Sequence, residues 1–342
     1  MDALFLLAAA GILISLFFAF TNGYNDAGAD VATMVSSGAA SVKGALLTAS
    51  LANFVGALIG GTAVVLTLQG VLADDLGDDS ALMIFSAVTA ASVWNLITWY
   101  YGIPSSSTHA LVGGLVGAGV AFLGPSGVVW GFDELLAGEL TGVTKVLFIL
   151  LLSVVMGFVG GYLLMKLARV LLRRADRGIG TSLKRLQWFT TGVQTLAHGA
   201  NDAQKQMALI ALFLATMGSG DIGVPFWVRL VCAAAIALGT LGGGYRIMRT
   251  VGRKIFKIRP VHALVAQTNT SLTVIASTLA GAPVSSTQVV TSSVMGVGTA
   301  ENHKLVHWRV GKDLVVSWFI TFPITAIISA ILVLVLKVLI GV

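Results

Sequence analysis

Ten apolar stretches divide the chain, at 11–41, 44–72, 81–103, 107–124 and 145–172, then at 186–217, 225–248, 262–281, 286–300 and 313–341. Most reach the roughly 20 residues that a helix needs to cross a hydrocarbon core. None shows the alternating segments of about ten residues that mark a transmembrane barrel. The pattern predicts an all-α polytopic membrane protein. The most charged internal stretch, Lys166–Arg185, falls between the two sets and divides the chain into a first transmembrane repeat (1–172), a basic cytoplasmic linker (173–185) and a second repeat (186–342).

Two apolar stretches are interrupted in the same way. Thr21-Asn22-Gly23-Tyr24-Asn25-Asp26-Ala27-Gly28-Ala29-Asp30 and His198-Gly199-Ala200-Asn201-Asp202-Ala203-Gln204-Lys205-Gln206 share a Gly-x-Asn-Asp-Ala core, with Asn25 and Asn201 176 positions apart. Pro104-Ser105-Ser106-Ser107-Thr108-His109 and Pro283-Val284-Ser285-Ser286-Thr287-Gln288 stand 179 apart, and Gly117 and Gly119 match Gly296 and Gly298 at that same spacing. Two polar motifs repeated in order and near register point to an internal duplication. An ion placed at mid-membrane costs roughly 2.5–3.5 kcal/mol on insertion scales. The duplicated carboxylates therefore read as a site.

Charge placement orients the spans. Lys43, the Lys166–Arg185 linker, the Arg246–Arg259 loop and the Lys304–Lys312 loop are basic and are expected on the cytoplasmic side. Asp74, Asp75, Asp78, Asp79, Asp133, Glu134, Glu139 and Asp221 mark the opposite side. Five crossings per half, with both termini extracytoplasmic, make the halves inverted repeats with broken or re-entrant helices, a common secondary-transporter plan. Stretches 81–124 and 262–300 are expected as re-entrant hairpins whose tips meet, since full hairpins would put the two Ser/Thr clusters near opposite surfaces. The first span is read as retained, not as a signal peptide.

Only 11% of the 342 residues are charged, whereas 56% are hydrophobic, which excludes an ordinary soluble domain. The formal net charge of +6 lies in the loops of a membrane protein, so nucleic acid is not expected as a partner. The single cysteine, Cys232, rules out an internal disulfide or a cysteine metal cluster.

Ser105, Ser106, Ser107 and Thr108, and likewise Ser285, Ser286 and Thr287, follow a proline and precede a glycine-rich helix. Such helix starts offer unpaired N–H groups and the positive end of a dipole to an oxyanion. The alternative is that these hydroxyls only cap helices or bond back to the preceding turn. Asn25, Asp26, Asn201 and Asp202 supply hard oxygens suited to Na⁺, or acids able to carry protons, and are expected to interrupt their helices. Asp30 and Lys205 form a candidate structural or coupling pair. Gly56/Gly60, Gly113/Gly117 and Gly157/Gly161 read as helix-packing pairs. Trp94, Trp99, Tyr100 and Tyr101 read as an interfacial belt. Glu301, His303 and His307 have metal-like spacing, but in a basic loop.

Gly199-Ala200-Asn201-Asp202, Asn22-Gly23-Tyr24-Asn25-Asp26 and Val93-Trp94-Asn95-Leu96-Ile97 through His109 resemble the inorganic phosphate transporter (PiT) family over essentially the whole chain. Gln204-Lys205 resembles its bacterial branch. The resemblance implies a secondary active transporter, not an enzyme, importing inorganic phosphate across the plasma membrane with Na⁺ or H⁺. The duplicated Asn-Asp and Ser/Thr motifs would form the site, with no cofactor beyond the coupling ions. Ala27-Gly28-Ala29-Asp30 departs from the family's usual run by adding a carboxylate. Beyond phosphate, Na⁺ (or H⁺) and the lipid bilayer, homodimer formation stays open.

Sodium is preferred because amide oxygens flank each Asp, which a proton site does not require. Phosphate carries about one to two negative charges near neutral pH, and each helix dipole offers only about half a charge. Cations at Asp26 and Asp202 would therefore have to accompany the anion. The alternatives are a proton-coupled phosphate or metal-phosphate symporter, a sulfate permease of the same architecture, an anion channel, and an intramembrane serine hydrolase using Ser107 with His109 or His198. The hydrolase is disfavoured because the second copy carries Gln288 where the first has His109.

Overall fold

The computed structural model describes residues 3–72, 80–176, 178–217 and 223–340. The acidic anchors Asp74, Asp75, Asp78, Asp79 and Asp221 lie outside the described residues. The first half comprises α1 (Ala3–Ser36), α2 (Val42–Ile59), α3 (Ala63–Gln69), α4 (Ser80–Tyr101), α5 (Ser107–Leu123), α6 (Phe132–Leu136) and α7 (Gly142–Leu171). The second comprises α8 (Ile179–Thr216), α9 (Phe226–Gly242), α10 (Tyr245–Arg249), α11 (Pro260–Leu279), α12 (Ser286–Asn302) and α13 (Trp308–Ile340). Residues 179–185 of the basic linker thus belong to the first turns of α8.

The chain is an all-α, multi-pass membrane protein. Among the described residues α1, α2, α4, α7 and α13 are long and apolar enough to cross a bilayer, and α9 with Tyr245–Lys254 makes a sixth candidate span, bent by 57°. Leu151 and Leu163 on α7 and Phe319 and Ile327 on α13 are exposed. An apolar exterior of this extent suits lipid and not water.

The halves interleave. α1 packs along α9 and α8 along α2, while α5 packs along α13 and α12 along α7. Glycine sets the closeness of the first two pairs. A Cβ on Gly23 would stand 2.3 Å from Ile236 O of α9, and one on Gly199 would stand 2.2 Å from Asn53 O of α2. Any side chain there would push the motif helices off their supports. Gly56 and Gly60 face α8, Gly113 and Gly117 face α13, and Gly157 and Gly161 face α12, in keeping with helix packing.

The expected interruption of the Asn-Asp helices is corrected. α1 and α8 run unbroken through Asn25-Asp26 and Asn201-Asp202, and the hydrogen bonds the two asparagine side chains make go to neighbouring elements, not to their own helix backbone. The breaks fall at glycines in the second helix of each half, where Gly61 and Gly243 adopt φ of 75° and 65°, a region costly for residues with a Cβ. Gln204 of α8 closes the α2–α3 break by donating to Gly60 O (2.7 Å) and accepting from Val64 N (2.8 Å).

Glu301 is engaged in ion pairs. Its carboxylate binds Arg169 at 2.7 Å and also Arg259, tying the end of α12 to α7 and to the start of α11. Trp94 donates to Thr321 of α13 at 3.1 Å and so packs inward, whereas Tyr100 and Tyr101 stay exposed.

Candidate functional site at the meeting of two helix starts

The α4–α5 and α11–α12 hairpins meet tip to tip. Thr108 Oγ1 donates to Val284 O at 2.9 Å. The first tip is held by α13, through Trp318 Nε1 to Pro104 O at 3.1 Å, and by Thr250 Oγ1 to Gly102 O at 3.0 Å. The second is held by α3, through Thr67 Oγ1 to Gly281 O at 2.7 Å, and by Asn201 Nδ2 to Ala282 O at 3.0 Å.

At each tip one serine caps. Ser106 accepts from His109 N (3.1 Å) and Ser285 from Gln288 N (3.4 Å). Ala110 N and Val289 N bond to Ser106 O and Ser285 O. The N–H groups of Ser107, Thr108, Ser286 and Thr287, the first two residues of two 17-residue helices, thus have no partner among the described residues. Four orphan donors and two positive helix ends belong to two tips that touch through Thr108 and Val284. The remaining hydroxyls divide. Ser105 bonds Thr98 Oγ1 at 3.0 Å and Thr287 donates to Asp26 Oδ1. The hydroxyl of Ser286 is buried without a partner.

Beneath the tips α1 and α8 bring three carboxylates around one imidazole. His198 Nδ1 is 2.5 Å from Asp30 Oδ2, and its Nε2 stands 3.2 Å from Asp202 Oδ2 and 3.4 Å from Asp26 Oδ2. Asp202 is further held by Lys205 Nζ on Oδ1 (2.7 Å) and Asn22 Nδ2 on Oδ2 (2.8 Å). With all three carboxylates ionised, Lys205 as the one fixed counter-charge leaves the cluster negative even when the imidazole is protonated. Asp26, His198 and Asp202 present converging ligand atoms that could hold a cation.

The expected pairing of Asp30 with Lys205 is corrected. Lys205 follows Asp202 by three positions on one helical face and closes on it and on Val284 O (2.8 Å), so Asp202 has a cation beside it. Asp30 meets His198 and Gln194 instead, the latter at 3.4 Å.

The two asparagines of the motif are placed differently. Asn201 is fully engaged, donating to Thr278 Oγ1 and Ala282 O and accepting from Val284 N. Asn25 donates to Asn95 O at 2.9 Å, and its Oδ1, like that of Asn22, is buried without a partner. All these groups are buried, so the centre is occluded.

Asn22, Asn95 and Gln204 do not stand out in the sequence as site residues, and His198 figures there only as a base for the hydrolase reading. A signal exists for two of them. Asn22 and His198 each precede a motif aspartate by four positions, one turn away on the same face. Neither the His198 imidazole nor that of His109, which faces Gln288 Nε2 at 3.4 Å, hydrogen-bonds a serine hydroxyl among the described residues, so the ring and hydroxyl that a nucleophile–base pair needs are not joined.

A multi-pass helical chain that gathers two helix starts and two buried Asn-Asp pairs at one occluded centre has the build of a secondary transporter. The model of the phosphate transporter family matches this chain over residues 22–182 and 173–329, and the chain belongs to that family. It is 40% identical over 323 residues to a Rhizobium meliloti (strain 1021) protein named "Probable low-affinity inorganic phosphate transporter", covering 93% of each. A Bacillus subtilis (strain 168) protein of the same name is 36% identical over 335 residues, covering 97% of each. A solved structure named "The sodium-dependent phosphate transporter" shares the fold with a TM-score of 0.86 at 24% identity, covering 98% of this chain and all of that one.

Proposed function

We propose that this chain is a secondary active transporter that imports inorganic phosphate across the plasma membrane by alternating access, coupled to Na⁺. The observation that carries the reading is the set of orphan N–H groups at Ser107, Thr108, Ser286 and Thr287. A tetrahedral oxyanion fits four donors on two touching tips, and neutral donors hold it without a permanent cation that would hinder release. The carboxylates below would repel it unless a cation enters too, which makes the two fluxes interdependent.

Sodium is supported by unpartnered buried oxygens on Asn22, Asn25 and Ser286 in the elements that meet at Asp26, and by the sodium dependence that the solved relative carries in its name. Proton coupling is the second reading, favoured by His198 lying among Asp26, Asp30 and Asp202. Phosphate uptake into proteoliposomes, with Na⁺ and pH gradients imposed separately and sulfate as competitor, tests the reading. Uptake that follows the Na⁺ gradient and resists sulfate supports it. Uptake following neither gradient removes symport.

The swapped packing of α1 on α9 and α8 on α2 supports two matched repeats, and the basic loops argue for an inverted arrangement with both termini extracytoplasmic. Single cysteines at Leu136 and Arg174, both exposed, with buried Cys232 replaced, are expected to react with impermeant reagent from opposite sides. Reaction of both from one side overturns this topology.

A further inference from the structure

Three positions after each motif aspartate the halves differ. The first has Ala29 and the second has Lys205. Lys205 is completely buried, and its Nζ lies between Asp202 Oδ1 (2.7 Å) and Val284 O (2.8 Å). A carboxylate oxygen and a main-chain carbonyl are the hard donors that a small metal cation takes.

The ammonium takes Oδ1 of Asp202, which leaves only Oδ2 to share with the Asp26–His198 cluster. That Oδ2 accepts from Asn22 and faces His198, and the Asn201 oxygen accepts from Val284 N. The first half is the reverse, with Oδ1 of Asn22 and Asn25 buried and unpartnered and no lysine at the position of Ala29.

We propose that Lys205 is a tethered cation that permanently fills the second-half ion site, so that this chain binds one exchangeable cation fewer than its duplicated motif would provide. The ammonium supplies at Asp202 the charge that an entering ion must supply at Asp26. It also pins α8 to the second helix-start tip, because Val284 O accepts from both Lys205 and Thr108. This inference rests on the cation-coupled phosphate reading above.

The test measures phosphate binding and bound ²²Na⁺ on purified full-length protein, in NaCl against choline chloride. Lys205→Ala is expected to weaken phosphate binding about tenfold or more in low Na⁺, because a buried carboxylate is left facing the anion without its counter-charge. High Na⁺ or n-propylammonium should restore it, with one more Na⁺ bound per chain than in wild type. Lys205→Met, which fills the space without charge, should not respond to the amine. Equal Na⁺ counts in wild type and Lys205→Ala, or a folded Lys205→Ala that neither ion rescues, overturns the proposal. If Lys205→Ala does not fold, the wild-type Na⁺ titration decides, with a Hill slope near one expected and a slope near two contradicting it. A wild type that binds no phosphate under any cation refutes the parent reading instead.

Discussion

Asp26 and Asp202 occupy matched places in the two halves but live in different surroundings. Asp202 has three fixed neighbours, Lys205, Asn22 and His198. Asp26 receives one hydroxyl, from Thr287, and lies 3.4 Å from His198 Nε2, beside asparagines whose oxygens are unused. The asparagines diverge likewise, Asn201 bracing the second tip and Asn25 keeping a free oxygen. Copying a motif therefore copies its position in the fold but not its chemistry. One neighbour, Lys205 against Ala29, gives Asp202 a fixed counter-charge that Asp26 lacks.

The sharpest break in that comparison comes from neutralising each aspartate. Asp202→Asn leaves Lys205 buried without its counter-ion and should cost the fold about 3–5 kcal/mol, the penalty for splitting a buried pair, read as a large fall in thermal unfolding temperature. Asp26→Asn removes a carboxylate that has no fixed cation, so stability should hold while gradient-driven uptake is lost. Equal stability losses in the two variants would remove the distinction.

The serines sharpen the same contrast between binding and bracing. Ser286→Ala should weaken phosphate binding by about 1.5–3 kcal/mol, the worth of a hydrogen bond to a charged group, with little effect on stability. Ser285→Ala should do the opposite, costing about 1 kcal/mol of stability through a lost helix cap. Binding isotherms and thermal melts on both variants separate the two roles. Thr108→Val, which cuts the bond between the tips, should have an effect no larger than that of the lost cap, a stability loss of about 0.5–1.5 kcal/mol with the cation dependence unchanged.

Much of this is legible in the sequence for a physical reason. Ions and hydroxyl clusters are costly in apolar helices, so the Asn-Asp and Ser/Thr motifs stand out, and their duplication implies that they meet. The helix breaks fall elsewhere than expected because polar residues are not the interrupting feature. Asn25 and Asn201 donate to neighbouring elements instead of to their own helix backbone, and the conformational freedom of Gly61 and Gly243 makes the breaks. The pairing of Asp30 with Lys205 fails because it weighs charge across halves and overlooks the i, i+3 neighbour, Asp202. The i, i+4 spacing marks Asn22 and His198, but their cross-helix roles follow only from how α1 and α8 meet, since each helix supplies a partner to the other's aspartate.

The most direct measurement is phosphate binding to purified protein at fixed pH, titrated with NaCl against choline chloride, in wild type and Asp26→Asn. Binding should strengthen steeply with Na⁺ in wild type and lose that dependence in Asp26→Asn. Binding that ignores Na⁺ but tightens as pH falls would transfer the coupling to protons at His198 and its carboxylates. Binding indifferent to both would contradict a cation-coupled phosphate site at this centre.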